Sequence, residues 1–315
     1  QARQTSTTPL EIADDPCWVL LSSTGLLART GSAEPVTAEG ARSKHDALLG
    51  AVRTTARGEF GLVTTAGRLV RLSALELPML PPTNGAPSLG GGAPLAAYVD
   101  LAKAEEPLTI VQIGADAPTL ALGTAAGVVK RVTPDAPKSN DWDIIGLKDG
   151  DQVVGAAVAD RDDLDLVFIT SDAQLLRFSA KSVRPQGRSA AGMAGIKLGR
   201  DARALFFGVV DSSREAVVVT SAGSSGALPG TEAGSLKVTP YAEYPPKGRA
   251  TGGVRCHRFL KGHDTLVVAF AGNTPARAAA AGGVAIDLPA ATGRRDGSGT
   301  ETNTVIAAIA AAPPV

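Results

Sequence analysis

The sequence predicts an all-β fold built as a radial array of six blades, each of about four strands. Three observations predict it. A β-rich hairpin motif recurs along the chain, Gly and Pro are frequent at 36 and 21 copies, and no long stretch carries helical periodicity.

The motif is an apolar run, a Thr/Ser-rich turn, a small residue, two or three apolar residues and then a basic one. It reads WVLLSSTGLLART over residues 18–30, GLVTTAGRLVRLS over 61–73, LALGTAAGVVKRVT over 120–133 and LVFITSDAQLLRFS over 166–179. A looser fifth copy begins AVVVTSAG at 216 and resumes as AGSLKVTP over 233–240; a degenerate sixth is AAAAGGVAIDLP over 278–289. The turn residues Gly25, Gly67, Gly127, Ala173, Gly234 and Gly283 are separated by 42, 60, 46, 61 and 49 residues. A basic residue stands four positions later in four copies, as Arg29, Arg71, Arg131 and Arg177; Lys237 stands three after Gly234, and Asp287 breaks the pattern.

Each copy reads as a hairpin, because β-branched and large apolar residues flank a turn that needs positive φ. The intervening runs 152–160, 202–211 and 264–272 read as further strands. Residues 93–107 can hold a short helical turn at most. Residues 290–304 are loop-like and would connect two strands of the last blade. Residues 1–15 read as a linker from an upstream domain and 311–315 as a tail, leaving 16–310 for the blades.

Composition bounds the rest. Lys+Arg and Asp+Glu both number 31, which argues against a wholly basic coat but leaves room for a basic face. Residues 177–261 carry 14 Lys/Arg against 5 Asp/Glu, whereas residues 135–172 carry 3 against 10. Cys17 and Cys256 do not make a disulfide framework, which fits a reducing cytosol. No apolar run reaches the roughly 20 residues of a membrane span, so no membrane partner is expected.

The string TTAGRLVRLSALELP (64–78), with TAAGVVKRV and TSDAQLLRFS, resembles the blade motif of the C-terminal domains of the A subunits of bacterial type IIA topoisomerases, DNA gyrase and topoisomerase IV. The resemblance implies a six-bladed β-pinwheel whose blades are four-stranded antiparallel sheets. It implies that duplex DNA binds the outer rim without regard to sequence and bends around it. The segment would thereby be presented to the cleavage core of an ATP-dependent enzyme. The cleavage tyrosine would lie in an upstream domain of the same subunit, with ATP hydrolysis in a partner B subunit. This chain would then carry no catalytic residue and no cofactor, although the parent enzyme would use ATP and Mg. The isolated domain would be a monomer, cytoplasmic and associated with the nucleoid.

Gyrase A subunits also carry a basic heptad close to Gln-Arg-Arg-Gly-Gly-Arg-Gly in the first blade. The equivalent stretch here, residues 37–51, keeps Arg42 and Lys44 without the heptad, which leans toward a topoisomerase IV-like or atypical gyrase subunit. A partial match, QGRSAAG at 186–192, keeps Gln186, Arg188 and Gly192, and KGRATGG at 247–253 parallels it. Small residues beside a basic one let backbone amides and an Arg approach a phosphate closely. The principal DNA-contact candidates are Arg177, Lys181, Arg184, Gln186, Arg188, Lys197, Lys247, Arg249, Arg255 and Lys261. A second group is Arg42, Lys44, Arg53, Arg71, Lys130 and Arg131.

Other signals are weaker. Cys256, His257 and His263 are too few for a closed zinc site, so no metal is expected. Gly90-Gly91-Gly92 lacks the Lys-Ser/Thr of a phosphate loop. Tyr241, Tyr244, Trp18 and Trp142 read most simply as packing residues. Two alternatives stay open: a β-propeller protein-interaction scaffold without DNA binding, and a propeller enzyme with a central site. The commonest scaffold signatures are absent, and no convincing His or carboxylate cluster supports an enzyme.

Overall fold

All six recurring motifs fold as hairpins in a computed structural model that describes residues 11–135 and 137–312. The expected linker therefore lies mostly outside the described residues, as do the last three residues of the tail. The hairpins are Pro16–Ser22 with Leu26–Arg29, Glu59–Thr64 with Arg68–Ser73, Leu120–Thr124 with Val128–Val132, Asp165–Thr170 with Gln174–Ser179, Ala216–Gly223 with Ser235–Pro240, and Arg277–Ala279 with Ala285–Ile286. Every turn residue named above has positive φ, between 61° at Ala173 and 92° at Gly283. Ala173 adopts the left-handed region despite its Cβ.

The innermost strands are Leu48–Thr55, Pro107–Val111, Val153–Val158, Ala204–Val210, Thr265–Asn273 and Ala308–Ala310. Each pairs antiparallel with the first strand of its own hairpin, and successive ones pack side by side, which sets the blades in a ring. Packing between blades is tight. A Cβ on Gly155 would lie 2.0 Å from the Phe207 carbonyl oxygen, and one on Gly123 would lie 2.2 Å from the Phe207 ring. Phe207 in turn packs tilted against Phe168, with 4.9 Å between ring centroids and 57° between ring planes.

The recurring unit and the blade do not coincide. After each of the second to sixth hairpins the chain crosses to the preceding blade, adds a short outer strand there, and returns to form its own inner strand. Ala93–Pro94 thus completes the first blade, Asp141–Asp143 the second, Met193–Ala194 the third, Val254–Arg255 the fourth and Thr300–Glu301 the fifth. Two sheets depart from the expected four antiparallel strands. The third gains a fifth strand, Pro185–Gln186, parallel to Arg131 and Val132; the sixth has three among the described residues. The loop-like 290–304 stretch supplies the fifth blade's outer strand, and short 3-10 turns occupy Leu89–Gly91 and Leu95–Ala97.

The first blade's connection, residues 30–47, closes the ring by covering the sixth blade. His45 N–H donates to the Gly283 carbonyl at 2.9 Å. Arg42 donates to the Ile286 and Ala278 carbonyls at 2.8 and 2.7 Å, and to Asp46 at 2.8 Å. Arg277 reaches the same Asp46 at 3.0 Å and also donates to the Ala38 carbonyl. Asp46 is buried, yet its pKa is lowered: the ion pairs and the Ser43 amide outweigh its desolvation. Ala47, Ala279 and Ala310 form the small apolar contact beneath.

Candidate nucleic-acid interface

The crossing connections form the outer edge, and three of them share a pattern. QGRSAAG (186–192) lies over the third blade, KGRATGG (247–253) over the fourth and GRRDGSG (293–299) over the fifth. Each places an arginine at its third position, namely Arg188, Arg249 and Arg295, and ends on a glycine beside the outer strand. Gly192 and Gly253 have φ of 85° and 78°, and a Cβ on either would come within 2.7 Å of a carbonyl oxygen of the strand beneath. These glycines let the loops lie flat on the blade edges.

The loops also join one another. Gly146 N–H donates to the Ala190 carbonyl at 3.0 Å, Ala250 N–H to Gly195 at 2.8 Å and Lys197 N–H to Thr251 at 2.9 Å. Arg249 donates to the Ala194 carbonyl at 2.7 Å, Arg258 N–H to Gly297 at 2.9 Å and Arg295 to the Arg255 carbonyl at 3.3 Å. A hydrogen-bonded strip thus runs along the outer edges of blades three to five. Lys197, Lys247, Arg255, Arg258 and Arg294 are exposed on it. Arg188 is half-exposed and pairs with Asp135 at 3.0 Å. The Nε of Arg249 and the Oε1 of Gln186 are buried without a hydrogen-bond partner among the described residues. Lys181 and Arg184 are exposed where the same connection leaves the fourth blade, and Lys261 is exposed beyond the outer strand of that blade. A row of guanidinium and ammonium groups of this kind can hold successive phosphates.

Other basic residues expected at the surface point inward. Lys130 is fully buried, and its ammonium donates to the carbonyls of Ile144, Arg188 and Ala190 at 3.0, 3.0 and 2.7 Å. Arg131 is buried against the Ala159 carbonyl, at 2.9 Å, and Asp162, also at 2.9 Å. Arg177 pairs with Asp165 at 2.8 Å and lies over the Tyr241 ring at 4.4 Å. Arg71 bridges Glu59, donates to the Pro137 and Ser139 carbonyls and covers Trp142. Arg53 is exposed but stands on the innermost strand of the first blade, and Arg42 belongs to the ring closure. Lys44 is exposed on that closing connection. Tyr241 and Tyr244 are buried, hydrogen-bonded to Asp165 and Thr239 at 2.8 Å each. His257 lies buried between Thr220 and Ser235, and burial pushes its pKa down to about 4, so it is neutral.

Arg294 and Arg295 were not among the sequence-derived candidates. The signal for them is the third-position arginine and closing glycine shared with the other two loops. The segment also agrees with the gyrase heptad at its second, third, fifth and seventh positions, through Arg294, Arg295, Gly297 and Gly299.

Comparison with known proteins agrees with this architecture. The family model described as DNA gyrase C-terminal domain, beta-propeller, matches residues 164–211 and 230–271. The DNA gyrase A protein of Mycobacterium leprae is 32% identical over 211 residues, 65% of this chain and 15% of that protein. The Mycolicibacterium smegmatis counterpart is 31% identical over 211 residues, 65% of this chain and 23% of that protein. The chain therefore spans less than a quarter of these relatives. The solved C-terminal domain of DNA topoisomerase IV superposes with a TM-score of 0.70 over 95% of this chain and 94% of that one, at 19% identity. The gyrase A C-terminal domain superposes with a TM-score of 0.63 over 95% and 100%, at 18% identity. The chain is a homologue of the C-terminal β-propeller domain of the DNA gyrase A protein, with the fold that this domain shares with its topoisomerase IV counterpart.

Proposed function

We propose that the domain binds duplex DNA without sequence preference along the outer edges of blades three to five and bends it there. It would hand the segment to the cleavage core of a type IIA topoisomerase, in which residues 1–15 lead from the upstream domain of the same subunit. The B subunit, ATP and Mg belong to that larger assembly, in the cytoplasm.

The observation that carries this reading is the continuous basic strip. Three glycine-rich loops of one pattern are hydrogen-bonded in series, with their charged ends in solvent. Phosphate contacts give affinity without sequence information. Curvature follows from the geometry, because duplex that stays in contact with successive blade edges must turn with the ring. A smooth bend over 20–30 bp costs of order 1–6 kcal/mol, which several aligned cations can offset.

The test is a titration of a mixed-sequence duplex, labelled at its two ends with a donor and an acceptor dye, at low and physiological salt. The expected result is salt-sensitive binding with the dyes drawn together. Binding that leaves the dye distance unchanged would remove bending from the function. No binding at low salt would remove DNA and favour a protein-interaction propeller.

A further inference from the structure

Two of the six blades carry a lysine three residues after the hairpin turn, Lys130 in the third and Lys237 in the fifth. The corresponding residues elsewhere are Ala28, Val70, Leu176 and Ile286. Both lysines are buried. Each ammonium faces main-chain carbonyls of the loop laid over its own blade. Lys130 takes those of Arg188 and Ala190 together with Ile144. Lys237 takes those of Arg294 and Gly297, both at 3.2 Å, and that of Arg295. An ammonium has three N–H donors and no acceptor capacity, so three carbonyls satisfy it completely. Desolvation lowers the pKa of each to about 8, which is what burial of an ammonium does.

Among the carbonyls that converge on the lysines are those of Arg188, Arg294 and Arg295, the arginines of the two rim loops. With the Arg188 carbonyl directed inward, its side chain is 46% exposed; with the Arg294 carbonyl directed inward, its side chain is 87% exposed. The loop over the fourth blade, where Leu176 fills the position, is held differently: Lys247 of the loop donates to the Gly253 carbonyl, and Arg249 reaches Ala194.

We propose that Lys130 and Lys237 are positioning residues for nucleic-acid binding: each clasps three carbonyls from within and holds a rim loop in the one conformation that presents its arginines to a phosphate backbone. This rests on the DNA-binding reading above. The lysines themselves touch no ligand.

The test compares the wild-type chain, Lys130→Leu, Arg188→Ala and the double variant in titrations of one mixed-sequence duplex across a salt series. Leucine is chosen because Leu176 occupies the equivalent position in a folded blade. Circular dichroism and thermal unfolding establish that each variant is folded. The expected result is that Lys130→Leu weakens binding about tenfold, the loss of roughly one charged hydrogen bond. The slope of log K against log salt should fall by about 0.9, as for one phosphate contact. Arg188→Ala should then add little in the Lys130→Leu background, although it weakens the wild type. Faster amide exchange confined to residues 187–192 is the accompanying readout. If Lys130→Leu does not fold, Lys130→Met keeps the unbranched stem and carries the same comparison, with Lys237→Leu and Arg294→Ala as the parallel set. A folded lysine variant that binds with wild-type affinity and slope would overturn the inference and leave the DNA-binding reading standing. So would a full additional loss on adding Arg188→Ala. A wild-type chain that does not bind would overturn both.

Discussion

The junction of the first and sixth blades and the outer edge of blades three to five use the same residue types to opposite ends. At the junction, Arg42 and Arg277 converge on Asp46 and on carbonyls up to 244 residues away in sequence, and their charges are consumed inside the fold. On the outer edge, Lys197 and Arg255 make backbone bonds to neighbouring loops, and the side chains of Lys197, Lys247, Arg255 and Arg294 all stay exposed. The difference lies in what the main chain offers. Where a crossing connection turns free carbonyls toward the blade, a cation beneath is drawn in; where those carbonyls are already satisfied, the cation stays out. An arginine is thus structural or available according to the acceptors around it, not according to its place in the repeat.

The largest expected effect comes from breaking the junction. Asp46→Ala leaves the Arg277 guanidinium buried beside no carboxylate, and denaturant unfolding should show a loss of about 3–5 kcal/mol. DNA affinity per folded molecule should stay near wild type, because the junction lies outside the strip. Next is acid. Glu105 is held at about 2, against an ordinary 4.5, chiefly by its hydrogen bond from Arg68, with Thr64 and the Ala102 amide assisting. Its folded pKa is depressed, so its contribution is complete above pH 4.5 and is lost as pH falls from there through about 2. Stability measured across that range should drop by of order 2 kcal/mol, and Glu105→Gln should flatten the drop.

Smaller effects sharpen the contrast between two residues that the sequence offers as DNA contacts, Lys247 among the principal candidates and Arg71 in the second group. Arg71→Ala removes an ion pair, two carbonyl bonds and the cover over Trp142. It should destabilise by about 1–2 kcal/mol in thermal unfolding without changing DNA affinity. Lys247→Ala should change stability by less than about 0.5 kcal/mol yet weaken duplex binding measurably in the same titration.

The hairpins are legible in the sequence because their signals are local: apolar runs on both sides of a residue that must take positive φ. Even the non-glycine turn at Ala173 is marked by its position in the repeat, and the inner strands follow from runs such as 202–211. The outer strands are not legible. They are two or three residues long, and each pairs with the blade before its own, so neither length nor periodicity marks them. The rim loops are legible in part, through Arg188, Lys247 and Arg249, while Arg294 and Arg295 sit in a stretch whose composition reads only as loop. Lys130, Arg131, Arg177 and Arg71 read as surface residues because their acceptors lie 12 to 68 residues away in the chain, beyond any local pattern.

The most direct test of the central account is a matched-charge comparison of salt dependence. One variant replaces Arg188, Lys247 and Arg294 with Ala on the strip; the other replaces Arg53, Arg57 and Arg214, exposed elsewhere on the ring, and so removes the same charge. The slope of log K against log salt for a mixed-sequence duplex should fall by about 0.9 for each phosphate that the first variant no longer neutralises and stay at the wild-type value in the second. Equal reductions in the two variants would show that only net charge matters and would contradict an interface on the outer edge of blades three to five.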